Sequence, residues 1–255
     1  MKTTMLVSTV LVLALAIFGS AASAQCNAPD NGLGTVDLPP QCPFNLTQGK
    51  MEIVEGLPAG TTIQIIPVFQ SFSNIVRAPG GALCGQILAF DTTVQLQMTG
   101  TGALQQFART IQAAATTVVH TEPHQPGRGH GHWHTEMVSL DLQIFGDPDF
   151  DTFSMRTGDG FDLPSPGQTT LTRLPSGNFT VDSVFDVFYE IDFQGAPGNS
   201  LEGFGGTTAG QVRMQQGQSP PPNPVFGLNH QPLEAATLSL NADGNLVVSN
   251  IGSSG

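Results

Sequence analysis

The chain has 255 residues, only 11% of them charged against a typical ~25%, and a formal net charge of −12. Its few Lys and Arg are scattered, with no cluster to release counterions from a phosphate backbone, which excludes a nucleic-acid partner. One tryptophan and one tyrosine leave too few aromatic platforms for a sugar-cleaving site.

At the amino terminus, Lys2, an apolar run over 5–18 and small residues at Ala22 and Ala24 form the pattern of a secretory signal peptide spanning 1–24. The run is shorter than the ~20 residues that cross a bilayer. The mature chain, starting at Gln25, is therefore expected to be soluble, without membrane insertion, and secreted or periplasmic. Gln25 stands where lipid attachment to Cys26 would want a small residue.

Residues 25–50 form a Cys/Pro/Gly-rich segment. In an oxidising compartment Cys26 and Cys42 are expected to close a disulfide, with Cys42–Cys84 as the alternative. Cys84, left over in "GGALCGQIL", is expected to be a buried apolar thiol.

From 51 to 217 helical periodicity is almost absent, and Gly and Pro punctuate short segments, which is the pattern of an all-β fold. Strands are expected over 51–55, 62–69, 92–98, 111–120, 135–145, 150–155, 169–173, 179–193 and 210–215, assembled mainly as an antiparallel β-sandwich. Residues 179–193 are the clearest. Phe179, Val181, Phe185, Val187, Tyr189, Ile191 and Phe193 share one face, and Asp182, Asp186, Glu190 and Asp192 take the other. That acidic row reads as a solvated surface, and Asp147, Asp149 and Asp151 as a turn, since the rest of a calcium loop fails. Residues 218–234 read as a stiff proline-rich connector, and 235–255 as a terminal hairpin with strands over 235–240 and 246–250.

The chemically pointed stretch is "VVHTEPHQPGRGHGHWHTEMVSL", residues 118–140, which holds five of the six histidines. His130, His132 and His134 alternate, so on one strand they share a face, and Glu136 continues the row. His120 ends the preceding strand and His124 lies in the loop between. An H-x-H pair with a third imidazole from a neighbouring strand can take zinc, copper or nickel. The expected metal set is His120, His130, His132, His134 and Glu136. In the same alternation Val138, Leu140, Leu142 and Ile144 fall on the histidines' face, which would put the triplet at the open end of the core.

His130, His132 and Glu136 also spell H-x-H-x-x-x-E, which resembles the first metal motif of the cupin superfamily of β-barrels, and "GDGFDLPSPGQTT" resembles its second segment. The resemblance covers about 127–170. It implies a cupin-like barrel with metal at those three residues, but Thr170 stands near the place of the last ligand. More broadly, "GDPDFDTF", "LPSPGQTTLTRLPSGNFTVDS" and "VFDVFYEIDF" resemble a group of exported bacterial β-rich proteins over 92–215. That likeness implies export and a β-rich fold, and no site residues.

No G-x-S-x-G elbow, H-E-x-x-H, P-loop or dinucleotide fingerprint is present, and no catalytic residue is assigned. The expected function is that of an exported structural or binding protein whose histidine hairpin takes a transition metal. The alternative is a cupin-like metalloenzyme using His130, His132 and Glu136.

Overall fold

A computed structural model describes residues 25–123 and 130–218 in full, and further along the backbone of four short strands. The expected signal sequence, His124 and His230 lie outside the described residues. Eleven strands form one sheet: β1 (Asn27–Ala28), β2 (Phe44–Gly49), β3 (Met51–Ile53), β4 (Ile63–Pro79), β5 (Gln86–Gly100), β6 (Ala108–Thr121), β7 (His130–Phe145), β8 (Phe150–Thr157), β9 (Ser165–Arg173), β10 (Phe179–Gly195) and β11 (Gly205–Gln216). Two single 3-10 turns, at Gly102–Leu104 and Asp159–Phe161, are the helical content among the described residues. No helix among the described residues is long and apolar enough to cross a membrane.

The fold is all-β and its pairings are antiparallel, as expected. They also close on themselves. β4 to β7 run as a meander, β7 pairs with β8 and β9, both of these pair with β10, and β10 pairs with β11. β11 then reaches β4 through β2. β8 and β9 share one position in this ring, β8 against the later half of β7 and β9 against the earlier half. β2 and β3 likewise share one beside β4, so the ring has eight positions.

Between β8 and β9 the chain leaves the sheet over 158–164. Gly158 makes this exit possible, with φ of 110° and a backbone so close to β7 that a Cβ would sit 2.4 Å from the Val138 carbonyl oxygen. The Cys/Pro/Gly-rich segment 25–50 contributes strands to the same sheet. In the structure β1 pairs with β10, and β2 with both β11 and β4. Further along, β12 (Val225–Phe226) pairs with β13 (Pro232–Leu233), and β14 (Thr237–Leu240) with β15 (Leu246–Ser249).

β10 shows why this sequence folds this way. Its seven alternating apolar side chains are all at most 5% exposed and form the middle of the core. The acidic face meets cross-strand partners: Asp186 accepts from Arg213 Nε and Nη2 at 2.6 and 2.7 Å, Glu190 pairs with Arg156, and Thr207 Oγ1 donates to Asp192 at 2.7 Å. These pairs sit directly opposite in register. Arg109 likewise binds Asp147 and Asp149, so those aspartates tie β6 to the β7–β8 turn.

The amino-terminal segment packs over the interior as a plug. Cys26 and Cys42 are disulfide-bonded across 16 residues, which places the folded chain in an oxidising compartment. Arg77 Nε donates to the Leu38 carbonyl at 2.8 Å, Gln41 Nε2 donates to the Phe72 carbonyl at 2.8 Å, and Gln216 Nε2 donates to the carbonyls of Pro40 and Cys42. Cys84 departs from expectation: it is exposed, with φ of 63° in the turn between β4 and β5. Flanking glycines let that turn project from the sheet, so the thiol never reaches the core.

Two predictions follow from these ties. Replacing Cys26 and Cys42 by Ser is expected to cost about 3 kcal/mol in denaturant unfolding, the loop-closure value for about 15 residues. Burial raises the pKa of Asp182, against a weaker opposing hydrogen bond from the Gln218 N–H. A raised folded-state value gives stability that is complete below the unfolded pKa and lost as pH rises through the folded one. Asp182→Asn should therefore melt above the parent at pH 7, with the gap closing near pH 3.

Candidate functional site

The histidine row opens β7. One edge pairs with β9 from His130↔Thr172 to Met137↔Ser165, placing His130, His132 and His134 opposite Thr172, Thr170 and Gln168, while the other edge pairs with β6 only from Thr135↔Thr121 onward, with His120 opposite Glu136. A register shift decides which way the row points. Val118 pairs with Ser139 but Val119 pairs with Met137, so Val138 is an extra residue in β7. Before it, Trp133, Thr135 and Met137 are buried; after it, Leu140 and Leu142 are. The histidines therefore lie on the outer face, and the expectation that they share a face with Leu140 and Leu142 is corrected by this bulge.

On that outer face the imidazoles are held apart by other partners. His130 Nδ1 is 3.3 Å from Thr172 Oγ1, and His132 Nδ1 is 3.2 Å from Thr170 Oγ1. Gln168 Nε2 lies 2.7 and 2.8 Å from the two ring nitrogens of His132. His120 turns to the β4–β5 turn instead, where its Nδ1 accepts from the Ala82 N–H at 3.1 Å and its ring covers Gly81. The closest approach in the row is His132 to His134, with ring centroids 6.3 Å apart and near-perpendicular planes. Glu122, missed in the sequence reading, reaches back across the hairpin to accept from the His134 N–H at 2.9 Å.

Burial, then the neighbouring His134 and His130, lower the pKa of His132, with Glu122 opposing, so the neutral imidazole is favoured. Burial and Asp159 raise that of Glu136, with His120 opposing. Among the described residues no three His, Cys, Asp or Glu side chains form a group that could hold a metal ion. The five expected ligands are thus brought to one region, as a row and a cross-strand pair, without a common centre. A metal held by His130, His132 and Glu136 would face away from the interior, and Thr170, at the place of the last cupin-like ligand, bonds to His132.

The opposite face of the same strands lines a cavity of about 70 Å³. Side chains from all eight ring positions reach it, among them Met51, Phe72, Leu88, Val119, Met137 and Met155, and Leu38, Pro39 and Pro40 of the plug cover it. Tyr189, also lining, is fixed by accepting from the Glu52 N–H at 3.2 Å and donating to the Lys50 carbonyl at 3.3 Å. Its ring lies over Gly210, where a Cβ would come within 2.5 Å of the phenol oxygen. Among the described residues no Asp, Glu, Lys, Arg or His lines the cavity. The wall is almost wholly apolar, and the hydroxyls behind it turn into the sheet: Thr157 bonds Ser165 and Thr169 bonds Ser183, each at 2.8 Å, and the buried Oγ1 atoms of Thr92, Thr117, Thr121 and Thr135 have no hydrogen-bond partner among the described residues.

No family model, curated protein or solved structure matches this chain. The site is therefore read from its own geometry.

Acidification provides a check on the His132 environment. A folded-state pKa below the unfolded one means that stability is present above about pH 6.5 and falls as pH drops through the folded value. His132→Asn is expected to flatten the decline of the melting temperature between pH 7 and pH 5 relative to the parent chain.

Proposed function

We infer that this chain is an exported binding protein that holds one small, mainly apolar molecule inside its strand ring. The observation that carries this reading is the cavity: every ring position contributes to it, and among the described residues no charged side chain does. Small closed antiparallel sheets of about eight strands have interiors that side chains fill or that accept one small ligand, and small-molecule sites are concave and mostly apolar with a few placed polar groups. The volume matches on the order of five water-sized groups. Export is supported by the disulfide and by the signal-like sequence at 1–24.

The test is calorimetric titration of the mature chain with benzene. Binding by the parent and its loss in Val119→Phe, which places a ring in the cavity, are the expected results. The variant must keep a cooperative melting transition. Absence of benzene binding by the parent removes the reading.

One observation favours a second, surface function. His132 and His134 lie side by side on the outer face with Glu122 at their base, and a pair of imidazoles can chelate zinc, copper or nickel weakly. Titration of each metal into the parent and into a His130→Ala, His132→Ala, His134→Ala triple variant is expected to show binding only in the parent. Identical titrations would end this reading and, with it, the cupin-like enzyme built on His130, His132 and Glu136.

A further inference from the structure

Resting on the interior-ligand reading, the way into the cavity is set by what surrounds it. The cavity takes one end of the ring. The other end is filled: Ile63, Leu96, Leu142, Phe153, Ile191 and Phe193 are at most 2% exposed, and none of them lines the cavity. Around the sides each ring position is hydrogen-bonded to its neighbours. The shortest ladder, two pairs between β2 and β4, is continued by β3. Among the described residues that line the cavity, Leu38, Pro39 and Pro40 alone lie outside a strand.

That stretch is held by side chains in place of a ladder. Proline has no N–H to contribute, and the bonds come from Arg77 Nε to the Leu38 carbonyl at 2.8 Å and from Gln216 Nε2 to the carbonyls of Pro40 and Cys42. Next to it, Gln41 donates to the Phe72 carbonyl at 2.8 Å and accepts from the Phe72 N–H at 3.3 Å. The flanks are tied down independently. Cys42 is bonded to Cys26, whose carbonyl accepts from the Val181 N–H at 2.9 Å, and Asp30 pairs with Arg173 of β9 at 3.2 Å. Breaking a few side-chain bonds therefore frees residues 38–40 alone, whereas any other route has to part a ladder or displace packed core. We propose that residues 38–40 form a door, latched by Arg77 and Gln41 and anchored on both flanks, through which the ligand enters and leaves while the ring stays closed.

The latch bonds are made whether the cavity is empty or filled and are broken only while the door stands open, so weakening them speeds passage in both directions and leaves affinity unchanged. The experiment follows benzene in the mature chain with its disulfide intact, taking rates from NMR magnetisation transfer between free and bound benzene and affinity from calorimetric titration. Arg77→Ala and Gln41→Ala, made singly, are each expected to raise the entry and exit rates about fivefold or more, roughly the value of one net hydrogen bond, with Kd within about twofold of the parent. Either latch variant serves if the other fails to fold. Arg156→Ala, which removes an ion pair on the outer wall, is expected to exchange benzene as the parent does. Unchanged rates in the latch variants, or an equal acceleration by Arg156→Ala, overturns the door while the cavity reading stands. Absence of benzene binding by the parent removes both.

Discussion

The ring depends on β10 being bonded along both edges. Its register with β11 on one side and with β8 and β9 on the other turns a meander into a closed circuit. An edge strand presents unpaired N–H and C=O groups that invite foreign strands, and closure removes that hazard. Closure also creates an inside. A face that would be a half-buried sheet surface in an open fold becomes the wall of a chamber, and Phe185, Val187 and Tyr189 of β10 face it.

The two faces of the wall divide the chemistry. Charge is confined to the outside, where each described arginine is committed: Arg109, Arg156, Arg173 and Arg213 to carboxylates, and Arg77 to the Leu38 carbonyl. Such exposed pairs contribute little stability individually, but in register they fix which strands lie side by side. The inside is neutral and almost wholly apolar. The imidazole row belongs to the outer, charged world, and its rings are engaged by Thr172, Thr170 and Gln168 of β9.

Legibility in the sequence followed local regularity. β10 could be read because fifteen residues keep period two with only Ser183, Val184 and Phe188 out of phase, and the Cys26–Cys42 pairing because the spacing and compartment leave few choices. β2, in "FNLTQG", escaped because it lacks β-branched or aromatic alternation and is held by its neighbours β11 and β4. β4 was cut short at Phe69 because register shifts after Phe69 and Ser73 break its alternation. The facing of the histidines turned on one inserted residue, Val138, whose effect on parity shows only once β6 is laid beside it. The cavity was invisible for a related reason: Thr92, Thr117, Thr121 and Thr135 are ordinary strand residues in sequence, and only the pairing of three strands brings them to the wall of one space.

The ladder between β2 and β11 joins Asn45 to Gln215 and Gly49 to Val212. Contacts this far apart along the chain form late, since loop entropy must be overcome before they reward it. The circuit consequently has a built-in order of assembly: the meander can zip up early, but the last seam waits for residues beyond 210. A polypeptide threaded through a narrow pore from its amino terminus would remain an open ribbon until its far end arrived, and the chamber would come into being only on the destination side.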